Sequence, residues 1–440
     1  MERPKIHFAP AKNWMNDPNG TIFDGKNFHL FYQYNPEGSD WGNIQWAYAT
    51  SENLIDWKRK GIKLSPDTKN GERYCFSGCA AKVPNGYKIY YTSIGYEEDA
   101  VQRHAKQLIC DADGNFSDIK RNGCGIFADV HPFPVVEWRD PFVFEWNGTH
   151  YMVMAGISNR GHIFLYRATD QDLNHWVYEG ILFTPECETD IPECPNVAVF
   201  GKKIVLLYSL AKANVVKYVI GEFNGKEMTF LNEDFVDYGV NCFYATNLAI
   251  GYGGEVVLFG WQKESLIGSS SVDGTYSGCL AIPRIMRLNG NKAEFHFTNN
   301  LLSLYKRELP VTSINGKSVC DGGGAEISRM TFTAEKNSQV EILKSEHESV
   351  LLDFGEEKLR IIRSSLTKQA DERILEMKSN GKNFVEMISD GTIVEMLVNN
   401  QAVSFRFYRQ NKIKTLFKQL SGNVSDVHAA ELNGAKISGE

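Results

Sequence analysis

The chain has 440 residues, 42% of them hydrophobic, and a formal net charge of −7, so it holds enough material for two domains with their own cores. The acidic balance and the lack of a basic run exclude a nucleic-acid footprint. No apolar run is long enough to span a bilayer, which excludes a helical membrane protein.

The first residues, Met1-Glu2-Arg3-Pro4-Lys5, lead into Ile6, His7 and Phe8 without an apolar leader, which sets the expectation of a cytoplasmic protein. The nine cysteines have no Cys-x-x-Cys pair and read as reduced, mostly buried thiols. Next comes Asn13-Trp14-Met15-Asn16-Asp17-Pro18-Asn19-Gly20. Pro18 restricts the residue before it to extended conformations, so Asp17 is expected at the start of a strand with its side-chain direction set. Alone, the stretch could equally be a polar turn.

A hairpin then recurs along the chain. Asp24-Gly25, Asn85-Gly86, Asn147-Gly148, Gly201-Lys202 and Gly253-Gly254 each precede a β-rich run such as Phe28 to Tyr32 or Ile204 to Tyr208. Four of these pairs are the kind that a tight primed turn requires. A second echo supports the repeat. Leu54, Trp57 and Gly61 have the same spacing as Leu173, Trp176 and Gly180, which predicts Trp57 and Trp176 as packing residues. Five all-β units of this size predict a five-bladed β-propeller made of four-stranded sheets, over residues 1–300.

Eight residues before each repeat glycine lie Asp17, Gly78, Asp140, Glu193 and Thr246. In a propeller the first strand of each blade lines the axis, so equivalent positions converge. Three acids aimed at one point repel each other, which is costly unless a site uses them. Arg139, beside Asp140, can hold part of such a cluster ionised and clamp a substrate oxygen.

Residues 301–312 read as a linker, and residues 313–440 as a β-sandwich. The sandwich strands are expected at Val350 to Phe354, Leu359 to Ile362, Ile374 to Met377, Phe384 to Ile388, Ile393 to Val398 and Val403 to Tyr408, with turns at Asn380-Gly381 and Asp390-Gly391. No catalytic constellation stands out there, which suggests a packing role.

Two carboxylates facing a glycosidic bond are the minimum for glycoside hydrolysis. One of them must keep a proton near neutral pH, and crowding of like charges supplies that. Trp14-Met15-Asn16-Asp17-Pro18-Asn19-Gly20, Arg139-Asp140-Pro141 and Glu193-Cys194-Pro195 resemble the three acid motifs of glycoside hydrolase family 32, the β-fructofuranosidases, invertases and fructan hydrolases. Phe31 to Pro36, Trp41-Gly42-Asn43, Phe76-Ser77-Gly78 and Gly260-Trp261 also fit.

The resemblance implies a retaining hydrolase of β-linked terminal fructose, acting on sucrose or short fructo-oligosaccharides. Asp17 is then the nucleophile, Glu193 the acid/base and Asp140 the transition-state stabiliser. Asn16, Gln33, Trp41, Ser77 and Arg139 are expected to line the fructosyl pocket, with Phe76 and Trp261 as apolar walls. No cofactor, metal, nucleic acid or membrane is implied. A fructosyltransferase using the same site, or a non-catalytic fructan-binding propeller, is the alternative. The chain departs from the family at Pro192 and Asn196 around the second Glu motif, at Asn241 in the stretch Asp237 to Ala245, and at Cys79 and Ile44-Gln45. These changes are expected at the mouth of the site, which leaves the reaction better defined than the substrate.

Overall fold

The computed structural model describes residues 3–95, 105–186, 190–239, 241–263, 275–346, 348–365, 368–376, 381–407 and 412–439, which are almost entirely strands. Among the expectations above, Met377, Asn380 and Tyr408 lie outside these residues. The chain divides into two compact units, and neither is one continuous segment. The larger comprises Ala9–Val236, Phe243–Glu294 and Ile437–Glu440, and the smaller Met1–Phe8, Asp237–Cys242 and Phe295–Lys436.

The larger unit contains five sheets, each built on four antiparallel strands in a simple meander. Their first strands are Asn13–Phe23, Glu72–Val83, Glu137–Trp146, Pro192–Phe200 and Phe243–Ile250. These inner strands pack side by side in sequence, and the fifth returns against the first, which closes a propeller ring. All five repeat glycines have positive φ, from 65° at Gly201 to 128° at Gly86, as tight primed turns require.

The sequence texture follows from depth in the sheet. Second strands such as Phe28–Asn35 are buried almost throughout, whereas the fourth strand Trp57–Leu64 alternates between buried and exposed. The Trp echo is a shared turn. Trp57 Nε1 donates to the Leu54 carbonyl and Trp176 Nε1 to that of Leu173, both at 3.2 Å, with both leucines at positive φ. The first sheet gains two short parallel partners, Tyr276–Ser277 on its inner strand and Ile437–Ser438 on its outer one. The last residues therefore pack with the propeller rather than with the expected 313–440 domain.

The smaller unit has two antiparallel sheets around a core that includes Met330, Phe332, Val340, Ile342, Leu352, Phe354, Phe405 and Phe417. Residues 301–312 are not a free linker. Asn299–Leu304 is a 3-10 helix, and Tyr305–Leu309 is an edge strand paired with Val424–Leu432. Strands at Ile327–Glu335, Ser338–Lys344 and Thr415–Ser421 go beyond the sequence expectation, because polar and apolar residues mix in them.

The N-terminal segment joins the smaller unit through one buried carboxylate. Asp390 accepts the backbone N–H groups of Lys5, Ile6 and His7, and sits 2.8 Å from His7 Nδ1. Glu395 lies 3.0 Å from His7 Nε2. Burial alone would lower the His7 pKa, but the hydrogen bonds and charges of Asp390 and Glu395 outweigh it and raise the group to about 8 from 6.5. A histidine whose pKa is raised on folding stabilises most below its unfolded value and loses that contribution as pH rises through the folded one. The stability of the smaller unit is thus expected to fall by about 2 kcal/mol between pH 6.5 and pH above 8. Denaturation followed by far-ultraviolet circular dichroism across this range checks it, and a flat profile would refute it. Tryptophan fluorescence would miss the effect, since all eight tryptophans lie in the larger unit.

Candidate active site

The site is built from a repeated irregularity. Every inner strand of the propeller shifts register against its neighbour near one end: between Met15 and Pro18, Cys75 and Gly78, at Asp140-Pro141 opposite Met154, between Glu193 and Asn196, and between Tyr244 and Thr246. Bulges re-aim side chains and concentrate near functional sites. Asp140, Cys194 and Ala245 at these bulges take positive φ of 65°, 48° and 46°, conformations that non-glycine residues hold only when the surroundings impose them.

Asp17 is half-buried and surrounded by donors. Ser77 Oγ donates to Oδ2 at 2.5 Å, Asn16 Nδ2 to Oδ1 at 3.1 Å, and the Cys194 thiol lies 3.6 Å from Oδ2. A relay stands behind these contacts. Trp14 Nε1 donates to Asn16 Oδ1 at 2.7 Å, Asn16 Nδ2 to Gln33 Oε1 at 2.6 Å, and Gln33 Nε2 to Ser77 Oγ at 2.6 Å. Each bond fixes the orientation of the next, so the ring of Asn16, Gln33 and Ser77 presents hydrogens to Asp17. Burial pushes the Asp17 carboxyl above its ordinary value; the Ser77 donor opposes this and the charge of Glu193 adds to it.

Asp140 is buried deeper. Its Oδ2 accepts the Cys194 N–H at 2.9 Å, and its own N–H donates to Thr92 Oγ1 at 2.9 Å. Burial raises its pKa to about 7, against the pull of Arg139 and with added repulsion from Glu193 and Asp17. The Arg139 side chain donates to Glu193 Oε1 at 2.8 Å and to Glu137 at 2.8 Å, and approaches Asp140 at 4.0 Å. Glu193 keeps solvent access, with 22% of its side chain exposed, and its other oxygen accepts the hydroxyl of Tyr244.

Asp17, Asn16, Gln33 and Ser77 therefore form one hydrogen-bonded network and Arg139 and Glu193 an ion pair, with Asp140 4.0 Å from Arg139 and Cys194 touching both Asp140 and Asp17. The aromatic residues sit around it. Trp41 is 48% exposed and packs on Tyr74 and Phe76, with ring centroids 5.3 and 6.1 Å away, so it forms a platform open to solvent. Trp261 is nearly buried, edge-on to Trp14 at 5.5 Å.

The eight-residue phase locates the three acids but misses two partners. In the second sheet the side chain that reaches Asp17 is Ser77, one residue before the position occupied by Gly78. Gly78 itself has no room for a side chain: a Cβ there would lie 1.9 Å from the Tyr90 carbonyl oxygen. In the fifth sheet the contributor is Tyr244, two residues before Thr246. Cys194 also does more than fill space, since its N–H and thiol touch two of the acids.

Of the departures from the family pattern, Asn196, Cys79 and Ile44 are buried, whereas Asn241 is exposed. Asn196 is buried and donates to the carbonyls of Cys194 and Thr246, both at 2.8 Å, which ties the fourth inner strand to the fifth. Cys79 is buried, its sulfur accepting the Val143 N–H at 3.3 Å. Ile44 is fully buried. Asp237 belongs to the smaller unit, where it accepts from the N–H groups of Gly239 and Ser404 and from the Ser404 hydroxyl. Asn196, Cys79 and Ile44 are thus packing and bracing positions.

A family model described as glycosyl hydrolases family 32 N-terminal domain matches residues 7–298. Among curated proteins, the sucrose-6-phosphate hydrolase of Zymomonas mobilis is 29% identical over 316 residues, covering 66% of this chain and 60% of its own length. The match thus spans about three fifths of that relative. The sucrose-6-phosphate hydrolase of Streptococcus mutans is 30% identical over 328 residues, covering 70% of this chain and 67% of its own. Two solved structures share the fold. Sucrose-6-phosphate hydrolase from Lactobacillus gasseri has a TM-score of 0.86 at 21% identity, covering 98% of this chain and 93% of its own. Fructan 1-exohydrolase IIa from Cichorium intybus has a TM-score of 0.84 at 18% identity, covering 99% and 98%.

Proposed function

The chain belongs to glycosyl hydrolase family 32, and on that footing we propose that it is a retaining β-fructofuranosidase releasing terminal fructose from sucrose, a phosphorylated sucrose or short fructo-oligosaccharides. The observation that carries this reading is the unequal treatment of the acids. Asp17 faces the donors of Ser77 and Asn16, which favour a carboxylate aimed at a carbon, while Glu193 is paired with Arg139 and accepts the Tyr244 hydroxyl.

In the first half-reaction an Asp17 oxygen attacks the anomeric carbon of the fructosyl unit. The bond to the leaving sugar breaks, and Glu193 gives its proton to the departing oxygen. In the second half, Glu193 takes a proton from water, which displaces Asp17 and restores the original configuration. Asp140 accepts hydrogen bonds from fructosyl hydroxyls that strengthen as positive charge develops on the ring. Arg139 holds Glu193 and balances the crowd of negative charge. Trp41 and Phe76 offer apolar faces to the fructosyl pocket.

The test is a substrate panel of sucrose, sucrose 6-phosphate, 1-kestose and inulin, with products identified in water and in methanol. Retention predicts methyl β-fructofuranoside from the methanol reaction, and methyl α-fructofuranoside would overturn it. Fructose as the main product in water supports hydrolysis; lengthened oligosaccharides at high sucrose would instead mark a transferase.

A further inference from the structure

Lys263 stands one residue beyond the end of the strand Val256–Gln262 that carries Trp261, and has no part in the relay around Asp17. Its ammonium lies 3.7 Å from the centroid of the Tyr244 ring and 5.3 Å from that of Trp261. Asn214 Oδ1 accepts a hydrogen bond from the same ammonium. Tyr244 is buried, and its hydroxyl donates to Glu193. A cation, an aromatic face, a phenolic hydroxyl and a carboxylate therefore stand in line. Lys263 is only partly exposed, and a cation over an aromatic face is worth more when it is desolvated.

We infer that Lys263 is a positioning residue for the acid/base Glu193, acting through Tyr244. This rests on the proposed assignment of Glu193. The ammonium draws electron density from the ring and makes the phenol a stronger donor. It also pins the ring so that the hydroxyl stays on Glu193. Both effects favour the carboxylate form of Glu193, the form left after it has protonated the leaving group and the form needed to activate water. Among the described residues, the other charged and titratable groups facing Glu193 are Arg139, Asp17, Asp140 and Cys194, with Glu137 behind Arg139. Those groups belong to the other inner strands, so changing Lys263 leaves them in place.

The experiment compares pH profiles of kcat/KM on sucrose for the parent, Lys263→Met, Lys263→Arg, Tyr244→Phe and Glu193→Gln. Lys263→Met is expected to move the alkaline limb about 0.5–1 unit to higher pH, with kcat reduced more than KM is changed. Tyr244→Phe is expected to shift it the same way, and Lys263→Arg to restore the parent profile. An unchanged alkaline limb in a folded Lys263→Met enzyme would overturn the inference. If Lys263→Met fails to fold, the Tyr244→Phe and Lys263→Arg profiles decide in its place. A Glu193→Gln enzyme that keeps turnover and its alkaline limb would overturn the assignment of Glu193 instead, which separates the two failures.

Discussion

Asp17→Asn is expected to lower kcat on sucrose by about four orders of magnitude or more, with the fold and substrate binding intact. The amide is nearly isosteric, so the hydrogen bonds from Ser77 and Asn16 constrain it in the same place. It cannot form the covalent ester that splits the reaction into two steps. The relay from Trp14 through Asn16 and Gln33 to Ser77 supports the site from behind. Steady-state kinetics, with circular dichroism as a folding control, measure the effect. Residual turnover within a hundredfold of the parent would refute the role of Asp17.

Asp140→Asn is expected to separate activity from stability. The amide cannot accept two hydrogen bonds with full negative charge behind them, so kcat should fall by about 10²–10³-fold. Stability should move the other way. Burial holds the Asp140 carboxyl at about 7 instead of its ordinary 3.8, so the folded protein resists its ionisation. An acid whose pKa is raised on folding destabilises as pH rises from its unfolded value through its folded one. Removing the charge should therefore stabilise the propeller at pH 7 by about 1–2 kcal/mol, after allowing for lost pairing with Arg139. The gain should vanish below about pH 3, where both states carry the proton. Denaturant unfolding monitored by tryptophan fluorescence reads this directly, because the tryptophans all lie in the propeller unit. A variant less stable than the parent at pH 7 would contradict the view that this charge is held at a cost for function.

The sequence exposed this site through a regular count from turn to acid. The count worked for Asp17, Asp140 and Glu193 because all three stand at or beside the bulge of their strand. It slipped by one at Ser77 and by two at Tyr244, because a bulge inserts a residue at a point that hydrophobic alternation does not mark. Positive φ at Cys194 and Ala245 was equally hidden, since neither residue type favours it and only neighbouring strands enforce it. The paired Trp turns at Trp57 and Trp176 were legible because their whole geometry is local.

Boundaries failed for the opposite reason. The capture of Lys5 to His7 by Asp390 and the pairing of Ile437–Ser438 with Trp57 and Lys58 join segments hundreds of residues apart. No local pattern announces such contacts. The substitutions at Asn196 and Cys79 read as changes in specificity because only the motifs around them are visible in the sequence. Their burial and hydrogen bonds assign them to bracing. Substrate preference therefore has to be sought on the exposed Trp41 platform and around Tyr244 and Lys263.

Asp17 is expected to form a covalent bond to fructose. A Glu193→Gln enzyme can still be fructosylated by a substrate with an activated leaving group, yet it lacks the base that releases the sugar. Acid quench of that reaction, followed by mass spectrometry of the intact chain and its peptides, should find one added hexosyl residue on the peptide carrying Asp17. An adduct on any other residue, or free fructose released in a burst with no adduct while methanol yields the inverted product, would contradict it.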